Sequence, residues 1–228
     1  MNRCHVDVWQ IGLSRPVDEV TALHELLDSA ERNRAGKFRA ERDRRRFVVA
    51  HATLRIVLAE YAGLEPHRVK FTVRPGGKPV LARNSATGAL HFNLSHSGEL
   101  ALCAVADREV GVDLEQLEHH DDMQRVAQHF FSEVEARTLG TLSGMDRTHF
   151  FFRTWVRKEA YLKASGEGLA RDTRRFTVHD REAGVTLHTP DGCKADASYN
   201  VYDLPDVDDH FAALAVREVS TIRFHHFG

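Results

Sequence analysis

Residues 151–169 read FFRTWVRKEAYLKASGEGL, and the apolar residues of this stretch decide how the second half of the chain folds. They recur at helical spacing, at Phe151, Phe152, Trp155, Val156 and Leu162. This spacing predicts an amphipathic helix packed on a core, which Gly166 and Gly168 then end. Glu159 and Lys163 lie four residues apart, on one face of that helix. They either form an ordinary ion pair on a solvated face or bind a metal ion and a phosphate, and this stretch alone favours the ion pair.

The composition is that of a soluble globular protein. The chain has 228 residues, 42% hydrophobic and 28% charged, which suits one large domain or two of ordinary size. Its formal net charge of -2 does not indicate a nucleic-acid or membrane partner. The three cysteines lie far apart, which argues against a disulfide framework or zinc site and for a reducing compartment. No apolar run approaches the ~18 residues of a membrane span and no leader pattern opens the chain, so we expect a cytoplasmic protein.

Hydropathy patterning predicts an α/β protein in two parts. In the first part we expect strands at 6–13, 69–73, 89–94, 100–106 and 110–114, and helices at 17–30 and 44–62, the second ended by Gly63. A polar break at 119–122 suggests two domains, 1–118 and 119–228. In the second part we expect helices at 123–131 and 132–139, a long helix capped by Asp146, and antiparallel strands at 176–179, 185–188, 198–202 and 211–216. The residues after 221 give no clear signal.

Basic residues concentrate in the first part of the chain. Eight of them lie within fifteen positions: Arg32, Arg34, Lys37, Arg39, Arg42, Arg44, Arg45 and Arg46. They form either a solvated face or an anion site, and Arg46 and Arg55 are of most interest because they lie on the predicted helix. A turn at 74–79 places Gly76 and Gly77 beside Lys78, so backbone amides and one ammonium could approach an anion there. Most such turns have no ligand, and this one is not a Walker A loop.

Asp113 and Glu115 lie two apart on a predicted strand, so both side chains point to one face. Like charges side by side repel unless something neutralises them. A divalent cation such as Mg²⁺, which carboxylates and substrate phosphates ligate together, would do so. The alternative is a sheet edge with solvated acids, and it is favoured while this motif is taken alone. We expect residues 95–98 to be a break between two strands.

Four segments in this order, GGKP (76–79), FNLSHSG (92–98), VGVDLE (110–115) and WVRKEAYLKASGEGL (155–169), resemble the 4′-phosphopantetheinyl transferases. The resemblance is to the larger type that activates surfactin synthetase. It implies a pseudo-dimer of two similar α/β halves, each a small, mostly antiparallel sheet packed on a long helix, with coenzyme A in the cleft between them. It also implies a monomer.

The resemblance further implies an activity and a set of site residues. The 4′-phosphopantetheine arm of coenzyme A would pass to a serine of an apo acyl or peptidyl carrier protein. Asp113, Glu115 and Glu159 would hold Mg²⁺ on the pyrophosphate, and Lys163 would contact the phosphates. The nucleotide end, chiefly its 3′-phosphate, would be bound by Arg34, Arg46, Lys78, Ser95 and His96, with backbone at Gly77 and Pro79 beside the adenine. We hypothesise that Glu159, directly or through a metal-bound water, takes the proton of the carrier serine.

Three other functions have less support. A non-catalytic module that binds carrier proteins has no reason to keep the repelling acids. A hydrolase using Ser95 and His96 lacks the GxSxG turn, and adjacent strand residues point apart. A thiol enzyme using Cys103 is disfavoured because that cysteine sits in an apolar strand pattern. The sequence does not identify the carrier protein or its docking surface.

Overall fold

Two 22-residue helices, one from each half of the chain, cover the outer faces of two stacked β-sheets. The computed structural model describes residues 5–82, 90–117, 122–166, 172–181, 184–188, 199–205, 207, 209–217 and 221–227. The predicted fold class is confirmed: each half contains a mostly antiparallel sheet packed on a long helix. None of the described helices is both long and apolar enough to cross a lipid bilayer.

Over the described ranges, six α-helices and eleven strands are numbered here in chain order. The helices are α1 (Val17–His24), α2 (Ser29–Ala35), α3 (Glu41–Ala62), α4 (Met123–Phe130), α5 (Glu133–Thr141) and α6 (Gly144–Ser165). The strands of the first half are β1 (His5–Gly12), β2 (Phe71–Val73), β3 (Pro79–Leu81), β4 (His91–Ser97), β5 (Leu100–Ala106) and β6 (Val110–Gln116). Those of the second half are β7 (Thr177–Arg181), β8 (Gly184–His188), β9 (Tyr199–Asp203), β10 (His210–Arg217) and β11 (Thr221–Phe227).

Each half of the chain contributes one strand to the sheet of the other half. The first has the order β11-β1-β5-β4 and the second β6-β10-β9-β8-β7, with β2 and β3 forming a separate hairpin. Thus β6 joins the sheet of the second half, whereas the C-terminal β11 joins the first sheet by pairing parallel to β1. The predicted boundary at 118/119 falls outside the described residues and stays a prediction.

The core follows the alternation of side chains along each strand. In β1, Ile11 faces α3, whereas Val6 and Val8 face the second sheet, where they meet apolar residues of β6 and β10 such as Val112. The opposite face of the second sheet packs on α6. The order of layers is therefore helix, sheet, sheet, helix, and the halves share an apolar interface that places β4 beside β6.

Several predicted boundaries are wrong for local reasons. The helix predicted over 17–30 ends at His24, because Asp28 and Glu31 form a capping box that starts a new helix. Asp146 does not cap α6: that helix starts at Gly144, so Asp146 lies in its first turn. The predicted helix ends at Gly63 and Gly166 are confirmed, since both adopt the left-handed conformation, and so is the capping box of Ser132 and Glu135.

The C-terminal strand, which has no clear sequence signal, is held by Asp7 of β1. The Asp7 carboxylate accepts bonds from Arg223 Nε at 2.8 Å and Nη2 at 3.0 Å, and His225 Nε2 lies 2.7 Å from it. Burial raises the pKa of Asp7, but hydrogen bonds from Arg223, His225 and Tyr61 outweigh that effect and lower it. Asp7 is therefore ionised at neutral pH and fastens β11 to the first sheet.

Two charged residues of the WVRKEAYLK segment anchor α6. Arg157 donates two 2.7 Å bonds to Asp203 on β9. Lys158 is buried, and its ammonium lies 2.9 Å from Glu135 Oε2 and donates to the carbonyls of Thr173 and Phe176. Because both side chains are bound to the second half, α6 is fixed in rotation and presents Glu159 and Lys163 towards β6.

Candidate active site

The polar side chains of β4 join the two sheets where β4 and β6 run side by side. Asn93 Oδ1 accepts from the Val112 amide at 2.8 Å, and Ser97 Oγ accepts from the Gln116 amide at 3.0 Å. Between them, Ser95 Oγ donates to Asp113 Oδ1 at 2.9 Å. The prediction of a break at 95–98 is therefore wrong up to Ser97, since these residues continue the strand and side-chain bonds cross to β6.

Asp113 and Glu115 lie on the same face of β6, as the two-residue spacing predicted. The solvated alternative is wrong for Asp113, which is 3% exposed. Burial raises the pKa of Asp113 and that of Glu115, and the charge of Asp113 raises the latter further. Asp113 Oδ2 is buried without a hydrogen-bond partner among the described atoms. Such an arrangement needs a positive charge nearby.

Part of that charge comes from Lys163 on α6. Its Nζ lies 2.6 Å from Asp113 Oδ1 and 2.8 Å from Ser95 Oγ. Among the described contacts, Lys163 therefore forms its ion pair with Asp113 of β6 and not with Glu159 of its own helix. The prediction of a solvated ion pair between Glu159 and Lys163 is wrong. Burial raises the pKa of Glu159, and the charges of Asp113 and then Glu115 raise it too. We call these three carboxylates the acidic cluster.

A cleft of about 350 Å³ opens beside the acidic cluster, between the two halves. Of the predicted residues, those that line it are Arg34, Gly77, Lys78, Pro79, His96, Glu159 and Lys163. Ser95 is not among the lining residues: its hydroxyl bonds to Asp113 and Lys163, whereas the neighbouring His96 lies at the cleft. Apart from two histidines, the ionisable side chains among the described lining residues are those of Arg34, Lys78, Lys163 and Glu159, and the other lining residues are apolar or uncharged. Three cations against one acid suit an anionic ligand.

The structure places two predicted phosphate ligands in protein contacts. Arg46 lies outside the described lining of the cleft and donates to Glu99 at 3.0 Å. Lys78 is 8% exposed, and its ammonium donates to the carbonyls of Val110 and Ala164, both at 3.0 Å. Burial lowers the pKa of Lys78 to about 8. Lys78 therefore ties the turn at 74–79 to β6 and to the end of α6.

Arg55 is not an anion-site residue, which corrects the interest the sequence gave it. It is fully buried in the first half. Its guanidinium lies 2.7 Å from Asp28 and from Glu31, and donates to the Val69 carbonyl at 2.8 Å. It serves the core.

His96 lies at the end of the cleft that Arg34 and His51 also line. Burial lowers the pKa of His96, and the positive charges of His51, Lys163, Arg34 and Arg46 lower it further. His51 lines the cleft from α3 and was missed in the sequence, because no motif surrounds it and only the packing of α3 turns it to the cleft.

The two enzymatic alternatives do not agree with this geometry. Ser95 and His96 face opposite sides of β4, and Ser95 donates to Asp113, so they do not form a nucleophile and base. Cys103 is fully buried, and burial raises the pKa of its thiol to about 12. An unreactive thiol of this kind is a core residue.

One buried and two half-buried carboxylates with a lysine, beside a cleft lined by further cations, are groups of the kind that enzymes transferring a phosphate-linked group use. Residues 109–215 match the family described as the 4′-phosphopantetheinyl transferase superfamily, and residues 15–108 match the family described as 4′-phosphopantetheinyl transferase, N-terminal. The chain belongs to the 4′-phosphopantetheinyl transferases.

Three relatives show how far the similarity extends. The 4′-phosphopantetheinyl transferase HetI of Nostoc sp. is 38% identical over 212 residues, covering 92% of this chain and 87% of that protein. The putative 4′-phosphopantetheinyl transferase slr0495 of Synechocystis sp. is 33% identical, covering 81% and 74%. The 4′-phosphopantetheinyl transferase Sfp of Bacillus subtilis is 26% identical, covering 81% of each.

Proposed function

We propose that this protein transfers the 4′-phosphopantetheine arm of coenzyme A to a serine of an apo acyl or peptidyl carrier protein and releases adenosine 3′,5′-bisphosphate. The observation that carries the proposal is the meeting of Asp113, Glu159 and Lys163 at one side of a cationic cleft between the two halves. A diphosphate with a separate phosphate would meet Arg34, Lys78 and Lys163 along this cleft, with the acidic cluster at the reacting end.

In this reaction the carrier serine Oγ attacks the phosphorus that bears the pantetheine. A new P–O bond forms to serine, and the bond from that phosphorus to the bisphosphate oxygen breaks. Glu159, which lines the cleft, takes the serine proton. Lys163 neutralises the charge that develops on the leaving oxygens. The protein therefore acts mainly by positioning and charge.

We propose Asp113, Glu115 and Glu159 as the residues that hold Mg²⁺, which when bound supplies charge neutralisation on the diphosphate. The donor set fits a hard cation, since it consists of carboxylate oxygens, one of which (Asp113 Oδ2) is buried with no described partner. Within the described ranges, no three His, Cys, Asp or Glu side chains stand close enough together to hold a metal. The assignment therefore depends on the chemistry of the donors.

The nucleotide end is proposed to lie at Arg34 and His96, with the backbone of Gly77 and Pro79 beside the adenine. Ser95 would act here through Asp113 and Lys163, to which it is bonded. Lys78 and Arg46 stay predictions, and each would have to exchange a protein contact for a phosphate. We further propose a cytoplasmic monomer without nucleic-acid or membrane partners. The net charge of -2 agrees with the proposal that it has no such partners.

The proposed reaction predicts a mass change on a carrier protein. Apo carrier proteins from fatty-acid, polyketide and peptide synthesis are incubated with this protein, coenzyme A and Mg²⁺, and their intact masses are measured. We expect at least one carrier to gain the mass of one phosphopantetheine group, and EDTA to abolish the gain. Binding of carrier and coenzyme A without transfer would favour the alternative, a non-catalytic carrier-binding module.

Glu159→Gln tests the proposed base. We expect a loss of about 100-fold in the single-turnover rate at saturating Mg²⁺ and coenzyme A, because an amide cannot accept the serine proton. Glu65→Gln, an exposed substitution after α3, serves as the matched control and should not change the rate. If Glu159→Gln weakened metal and coenzyme A binding but kept the single-turnover rate, the residue would be a ligand and not the base.

A further inference from the structure

His51 stands on the cleft wall in a fixed orientation. It projects from α3, and its side chain is 20% exposed. Its ring stacks on Phe47, with 4.0 Å between the ring centroids and 29° between the planes. The guanidinium of Arg34 lies 5.1 Å from the same Phe47 ring. His51 and Arg34 are therefore brought to the cleft together by one aromatic side chain.

The opposite edge of the His51 ring is held by Glu31. His51 Nδ1 lies 3.4 Å from Glu31 Oε1, and Glu31 Oε2 accepts a 2.7 Å bond from Arg55 Nε. Because Arg55 is fully buried, its bond holds the Glu31 carboxylate in place beside His51. Glu31 occupies the Nδ1 edge of the ring, so the Nε2 edge is directed away from Glu31. An imidazole that carries a proton on each nitrogen can donate from both edges at once.

The region that His51 faces gathers positive charge. His51 from α3 and His96 from β4 line the same cleft, together with Arg34. The other cations proposed for this end are engaged elsewhere, Arg46 with Glu99 and Lys78 with two backbone carbonyls. A phosphate at this end would therefore meet Arg34, His51 and His96 first.

We propose that His51 is a specificity-determining residue that donates from Nε2 to the 3′-phosphate of coenzyme A. Glu31 and the phosphate would stand on opposite edges of the ring, so each anion would face one ring nitrogen. The inference depends on the proposed function, since it assigns a residue to the substrate of that reaction. It gives the protein a means to distinguish coenzyme A from its analogue without the 3′-phosphate.

Calorimetry with two ligands tests the proposal. Coenzyme A and dephospho-coenzyme A, which lacks only the 3′-phosphate, are titrated into the wild type and into His51→Ala. We expect His51→Ala to weaken coenzyme A about tenfold and dephospho-coenzyme A less than twofold. His51→Lys, which restores a positive charge, should recover most of the preference, a result that lost packing alone would not give.

His67→Ala is the matched control, because this exposed histidine lies just beyond α3 and away from the cleft. It should leave both affinities unchanged. An equal loss for the two ligands, or an unchanged affinity of His51→Ala for coenzyme A, would overturn the assignment while the wild type still binds coenzyme A. A wild type that binds neither ligand would overturn the proposed function and this inference with it.

Discussion

Asp113→Asn is expected to reduce kcat/KM for carrier modification on the order of 1,000-fold, while the protein stays folded. Asp113 Oδ1 is the point at which Ser95 and Lys163 meet, at 2.9 and 2.6 Å. The amide keeps the shape of the side chain but removes its charge. Lys163 then loses its anionic partner, and the acidic cluster loses the carboxylate oxygen that lies buried without a described partner.

The effect on stability should have the opposite sign to the effect on activity. Burial raises the pKa of Asp113, and its charge raises the pKa of Glu115 and Glu159, so the ionised carboxylate is costly without Mg²⁺. We therefore expect the melting temperature of Asp113→Asn, measured without Mg²⁺, to equal or exceed that of the wild type. Lys163 is 29% exposed in its side chain, so water can solvate it.

Asp107→Asn is the matched control for this prediction. Asp107 is exposed in the β5–β6 turn, six residues before Asp113 on the same hairpin. This substitution should change neither activity nor melting temperature. Full activity in Asp113→Asn, or a loss of activity explained entirely by unfolding, would contradict the role given to Asp113.

The sequence was sufficient where the physics is local. Helical spacing located α6 and its C-terminal glycine, and the period of two along a strand placed Asp113 and Glu115 on one face. The capping box of α5 follows from Ser132 and Glu135 alone. These features depend on residues within a few positions of one another, so local patterns were enough to predict them. The metal and phosphate roles came from the resemblance to the transferase family, because each motif taken alone favoured an ion pair or solvated acids.

The sequence was insufficient where the partner of a residue lies far along the chain. Residues 95–97 were predicted as part of a break, but they continue β4, and the side chains of Ser95 and Ser97 bond to β6. The parallel pairing of β11 with β1 joins residues more than 200 positions apart, as in Asp7 and Arg223. The burial of Arg55 and of the Lys78 ammonium likewise depends on distant carboxylates and carbonyls.

Gly111→Ala is expected to lower the free energy of unfolding by about 3 to 5 kcal/mol, a large fraction of the stability of an ordinary domain. Gly111 lies on β6 where α6 crosses the strand. A Cβ there would overlap the Ala160 carbonyl oxygen and the Ala164 amide nitrogen. Both are backbone atoms, so no side-chain rotation relieves the clash and the helix itself must move.

Movement of α6 also reaches the active site, because Glu159 and Lys163 lie on the part of the helix that Gly111 contacts. Separating β6 from α6 would lengthen the 2.6 Å contact between Lys163 and Asp113. We therefore expect any folded Gly111→Ala to lose activity beyond its loss of stability. Denaturant unfolding gives the free energy, and carrier modification at a temperature where the variant is folded gives the activity.

Gly12→Ala separates the close approach from the simple gain of a methyl group. Gly12 is also a strand residue, the last of β1, but nothing lies within 4 Å of a Cβ built on it. Its substitution should change the free energy of unfolding by less than about 0.5 kcal/mol. If Gly111→Ala were as stable and active as Gly12→Ala, α6 could not lie against β6 as described, and the meeting of Lys163 with Asp113 would have to be abandoned.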